Sequence, residues 1–75
     1  MPKDIKVELG ALIRELREMR GWTQKELARR IEGASDDPNM ISQWELGRYH
    51  PQLDTIFRIA DAFDLSASKM IEAIE

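Results

Sequence analysis

The sequence predicts an all-α domain of five short helices, and three observations carry that prediction. Apolar residues recur at three- and four-residue steps in successive segments, the spacing of one helix face. No segment alternates with period two for long enough to make a strand. Helix-starting Asp, Thr and Ser and helix-ending Gly punctuate the segments where caps belong.

Each element has its own signals. Ile5, Leu9, Leu12, Ile13 and Leu16 form the stripe of the first helix, with Asp4 to cap it and Gly21 as a left-handed stop. Thr23 and Glu26 have the spacing of a capping box, in which hydroxyl and carboxylate each satisfy a free backbone N–H. Leu27, Ala28 and Ile31 face inward on this second helix, and Gly33 ends it. Ala28 is small enough to let two helices cross closely.

Asp37-Pro38 opens the third helix. Asp is a strong N-cap, and Pro fits the first helical position because its missing N–H would be unpaired there anyway. Ile41 and Trp44 point to the core, Gly47 stops the helix, and a loop with His50-Pro51 follows. Leu53, Ile56, Phe57, Ile59, Ala60 and Phe63 give the fourth helix. Ser66 caps the fifth, which carries Met70, Ile71 and Ile74. Trp22 and Trp44 read as core or half-buried packing rather than stacking platforms for bases.

Composition narrows the function. Seventy-five residues, 43% hydrophobic, make one domain spanning 1–75, without repeats or a linker. With no cysteine and one histidine, His50, neither a disulfide nor a Cys or multi-His metal site is available within the chain, and no cofactor is expected. No apolar run approaches the roughly 18 residues of a membrane span, and the start lacks a signal-peptide pattern. A cytoplasmic location is the expectation. Ser35, Ser42, Ser66 and Ser68 lie in no nucleophile motif, and there is no glycine-rich phosphate loop, so an enzyme is not expected.

The net charge of −3 runs against nucleic-acid binding, which favours basic domains. Its distribution softens the objection. Residues 1–50 balance nine basic against nine acidic side chains. The excess acid lies in 51–75, where Arg58 and Lys69 face Asp54, Asp61, Asp64, Glu72 and Glu75.

The runs Leu16-Arg17, Gly21-Trp22-Thr23-Gln24, Glu26-Leu27-Ala28, Ile41-Ser42-x-Trp44-Glu45-x-Gly47, Pro51 and Ile59-Ala60-x-x-Phe63 resemble the Cro/repressor-like helix-turn-helix domains, the XRE family. The resemblance covers about Leu9 to Ile74, with a helix-turn-helix unit at about 23–47. It implies a transcriptional regulator of repressor type that binds a double-stranded DNA operator. One departure stands out. Ala28 and Ile41 are 13 positions apart, about three more than is usual for this helix-turn-helix. Asp37 keeps the cap four residues before Ile41, which places the extra length in Glu32–Asp36, an acidic turn near the expected DNA face.

The resemblance also implies site residues. A helix in the major groove presents its first two turns to base edges. By position these are Asn39, Met40, Ser42 and Gln43. Asn and Gln amides pair bidentately with adenine, and Met40 suits a thymine methyl. The plain alternative is a solvated helix face. Gln24 becomes a phosphate clamp at a helix start, assisted by Thr23. Arg48, Tyr49 and His50 become further backbone contacts, and Lys25 and Arg29 are additional candidates on a surface where cations are by default merely solvated. Arg17 and Glu45 match a family pair that forms a buried ion pair between the first and third helices; otherwise they are two unrelated surface charges.

A homodimer is expected for a DNA reader of this size. Met70, Ile71 and Ile74, with Phe57 or Phe63, would form its contact or else close the monomer's core. The rival function is a protein-interaction module or antitoxin on the same fold, to which the acidic turn and acidic last third are suited, with a protein rather than DNA as partner.

Overall fold

The computed structural model describes residues 4–31 and 37–75. Five helices follow in order: α1 Ile5–Met19, α2 Gln24–Arg30, α3 Pro38–Glu45, α4 Leu53–Ala62 and α5 Ala67–Ala73, with no strand among the described residues. The expected insertion Glu32–Asp36 and the expected stop at Gly33 lie outside the described residues.

Local chemistry sets the helix starts. The side chains of Asp4, Thr23, Asp37 and Ser66 each accept a hydrogen bond from a backbone N–H of the first turn, a donor that would otherwise be unpaired. The capping box at Thr23 forms by half. Thr23 Oγ1 accepts from the Glu26 N–H at 3.0 Å, whereas the Glu26 carboxylate turns forward to Arg30, whose Nε donates to it at 3.0 Å. An oppositely charged residue one helical turn away outcompetes the backbone N–H.

Three helix ends share one geometry. At Gly21, Gly47 and Asp64 the chain takes positive φ of 70°, 75° and 59°. The N–H of that residue and of the next close back on the helix, as in Leu65 N–H to the Ala60 carbonyl at 2.8 Å and Asp64 N–H to Asp61 at 3.0 Å. This pairing satisfies two of the free carbonyls at each end. α2 ends differently, and earlier than the sequence suggested. Ile31 leaves the helix in an extended conformation and drives its side chain into the core.

The core joins all five helices through Ile13, Leu27, Ile41, Ile59, Phe63 and Met70, each fully buried. α1 crosses α3 at Gly10, where a Cβ would collide with the Trp44 carbonyl oxygen and crowd that of Glu45 at 3.2 Å. Gly10 therefore buries backbone against backbone, and Ala28 lies fully buried beside the α2–α3 crossing. Three expected inward residues turn outward. Ile5 is 52% exposed, Leu53 65% and Phe57 56%. Helical spacing assigned them to the apolar side, but Ile5 lies in the first turn of α1, at the rim of an apolar groove with Leu9, Ile56, Met70, Ile71 and Ile74. Of the candidate dimer residues, Phe63, Met70 and Ile74 close the monomer's own core, while Phe57 and Ile71 remain exposed.

Candidate nucleic-acid interface

The inner side of α3 is fixed by Ile41 and Trp44, which are buried. Its other side follows from helical geometry. Asn39 and Met40 are exposed, Met40 by 36%, while Ser42 and Gln43 are half-buried. Asp37 Oδ1 accepts from the Asn39 N–H at 2.9 Å, so the cap that starts the helix also sets its register. Asn39 and Gln43, four residues apart, share one flank, with their amides carried on a helix that shows no side-chain tie from Asn39 to the protein among the described residues.

Gln43 meets Arg48. The Arg48 Nη1 donates to Gln43 Oε1 at 3.4 Å, and the Arg48 N–H closes on the Gln43 carbonyl at 3.2 Å. The structure thus brings an expected base reader and an expected phosphate contact together. Arg48, Tyr49 and His50 are all exposed, and Pro51 behind them is buried and anchors the loop. His50 Nδ1 lies 3.1 Å from the Pro51 carbonyl. A carbonyl only accepts, so Nδ1 carries the proton and Nε2 is the nitrogen left for a ligand.

The start of α2 joins α3 through a buried charge. Arg17 Nε donates to Glu45 Oε2 at 2.7 Å and Nη2 to Oε1 at 3.0 Å. The two side chains are 13% and 6% exposed. The remaining guanidinium nitrogen donates to the Trp22 carbonyl at 2.8 Å. The hydrogen bonds to Glu45 hold the Arg17 pKa above its usual value, against the opposing pull of burial. Gln24 completes the group, its Nε2 donating to Glu45 Oε1 at 3.1 Å. A carboxylate accepts only, which fixes the amide orientation and leaves Gln24 one further N–H. Thr23, Lys25 and Arg29 are exposed around it.

Sequence reasoning missed one group that stiffens this region. Trp22 stacks on Phe63 with centroids 5.7 Å apart and planes 7° from parallel. Arg30 lies 4.3 Å from the Trp22 ring centre, and Arg20 lies 5.0 Å from that of Phe63 while its Nη2 donates to the Phe63 carbonyl at 2.6 Å. Only the apolar character of Trp22 and Phe63 was visible; a lone Arg in a sequence reads as solvated.

A short α2, a register-fixed α3 with a polar outer side, and three supporting helices define a DNA-binding helix-turn-helix domain. A model of the helix-turn-helix family matches residues 13–70. The chain belongs to this family, of XRE type. A crystal structure described as that of a hypothetical transcription factor, NHTF, from Neisseria is similar to it, with 29% sequence identity, a TM-score of 0.77, and coverage of 93% of this chain and 79% of that one. Comparison with curated proteins finds no significant match. No described helix is long and apolar enough to cross a membrane.

Proposed function

We propose that the protein reads a specific operator in double-stranded DNA and acts as a repressor. α3 lies in the major groove with Asn39, Met40, Ser42 and Gln43 toward base edges. Thr23 and Gln24 at the start of α2, with Lys25 and Arg29 and the loop Arg48–His50, hold phosphates on either side. The observation that supports this most is the amide flank of α3, with Asn39 exposed and Gln43 half-buried, set away from Ile41 and Trp44. Binding as a dimer would place two such helices in successive major grooves about 34–36 Å apart, with Phe57 and Ile71 as apolar surface for the contact.

Selection of bound duplexes from a random pool tests the reading, followed by two variants. Gln43→Ala relaxes preference at one base position per half-site, a loss of about 1–3 kcal/mol against the wrong base. Lys25→Ala, which has no carboxylate partner to release among the described residues, weakens binding to all sequences alike and lowers the salt slope by about 0.9. Arg48 is a poorer probe because it touches Gln43. Binding without any base preference at low salt would favour an interaction module instead.

A further inference from the structure

We infer that the cleft between the start of α1 and the loop after α3 is an additional phosphate seat, in which Lys6 of α1 grips the DNA backbone and Asp4 opposes it. The inference rests on α3 being the groove-bound helix and adds to it a contact from α1.

The cleft is an open space of about 470 Å³ lined by Asp4, Ile5, Lys6, Arg48, Tyr49 and His50. α1 reaches the loop because Val7 lies against Gly47, where an added Cβ would come within 3.0 Å of Val7 Cγ2. The two cations in the cleft are not neutralised by a carboxylate among the described residues. Arg14, Arg17, Arg30 and Arg58 each pair with a carboxylate. Among the described residues Lys6 and Arg48, like Arg20, Lys25, Arg29 and Lys69, have no such partner, and the Arg48 side chain bonds the neutral Gln43. In a chain of net charge −3, two unneutralised cations converging with a tyrosine and a histidine make a local positive field.

A phosphodiester fits that field better than other anions, because a duplex docked on α3 and touching Arg48 brings its backbone to the cleft without a second association. Lys suits a phosphate as a point charge on a flexible stem. Among the described residues lining the cleft, Asp4 is the one opposing charge. Its Oδ1 accepts from the Lys6 N–H at 3.0 Å, so it caps α1 while leaving a negative charge in the cleft. Asn caps about as well as Asp. Asp4→Asn therefore removes the charge and keeps the helix start.

The experiment measures dissociation constants of the full chain for its selected duplex over a series of salt concentrations. Lys6→Gln should lower the log–log salt slope by about 0.9, equivalent to about eightfold weaker binding at 0.1 M salt when both lines are extrapolated to 1 M. Asp4→Asn should tighten binding several-fold at low salt with an unchanged melting temperature. Neither should alter base preference, whereas Gln43→Ala should alter it and keep its slope. An unchanged slope in Lys6→Gln, with Gln43→Ala still losing preference, would overturn the seat and leave the α3 reading standing; a cleft made for an acidic peptide would give this result. Asp4→Asn binding no tighter than the parent would also overturn it. No selective binding by the parent would overturn both.

Discussion

Replacing Glu45 with alanine tests the charge that ties α3 to the rest of the fold. In the parent, Glu45 accepts two hydrogen bonds from Arg17 and one from Gln24, at 2.7, 3.0 and 3.1 Å. Both partners of the ion pair are nearly removed from water. Glu45→Ala leaves the Arg17 guanidinium with the Trp22 carbonyl as its remaining hydrogen-bond acceptor among the described residues and with a side chain only 13% exposed to water. Stranding one partner of a buried pair costs about 3–5 kcal/mol. A chain of 75 residues has a total stability of roughly 4–11 kcal/mol, so this single change removes a large part of it. Urea unfolding followed by circular dichroism should show the midpoint falling by about 2–3 M for a slope near 1.5 kcal/mol/M. The double variant Arg17→Met/Glu45→Leu separates stranding from simple loss. Replacing both partners by apolar groups is often neutral or stabilising, so it should recover most of the loss. A Glu45→Ala midpoint within about 0.5 M of the parent, or a double variant no better than the single one, refutes this account. The pH dependence has a definite sign. A cation whose folded pKa is raised contributes stability that is complete below its unfolded pKa and lost only as pH rises through the folded one. For Arg17 both values lie in strong alkali, so its contribution should not vary with pH between about 5 and 9.

Two further outcomes follow from backbone geometry. Gly10→Ala would raise helix propensity by about 1 kcal/mol at an open site, yet here the methyl meets the Trp44 carbonyl; net destabilisation of about 1–3 kcal/mol is expected in a thermal melt, and a stabilised variant would disprove the close crossing. Asp64→Gly should act oppositely, because it relieves a left-handed residue at φ 59°; a gain of about 0.5–1 kcal/mol, read as a melting temperature roughly 2–8 °C higher, is expected, and a lower melting temperature would count against strain at that turn.

The helix starts were legible because caps are local. Asp4, Thr23, Asp37 and Ser66 each act on a backbone N–H two or three residues ahead, a distance that sequence spacing encodes. Gly21 and Gly47 were legible for the same reason, whereas Asp64 performs the same turn without glycine's signal. The requirement for Gly10 comes from a carbonyl 34 residues away, and no local pattern reports it. Helical spacing told which side of α1 and α4 is apolar but not where the bundle stops covering it, which is why Ile5, Leu53 and Phe57 emerge exposed. At the interface, the register of α3 was readable from Asp37, Ile41 and Trp44. The tie of Gln24 to Glu45 was not, since it depends on how two helices are set in space. Resemblance had already joined Arg17 to Glu45; the further bond from Arg17 to Trp22 needed coordinates.

The glycine-to-carbonyl crossing at Gly10 fastens α3 by its main chain as well as by its inward side chains. Every grip that matters to its orientation comes from within: Gly10, Ile41, Trp44 and Glu45. Positions 39 and 40, exposed on the other side of the helix, are thereby relieved of architectural duty; under the proposed reading their identities would be rewritable for a different operator while the scaffold keeps its form. Under that reading the domain is a chassis with an exchangeable edge.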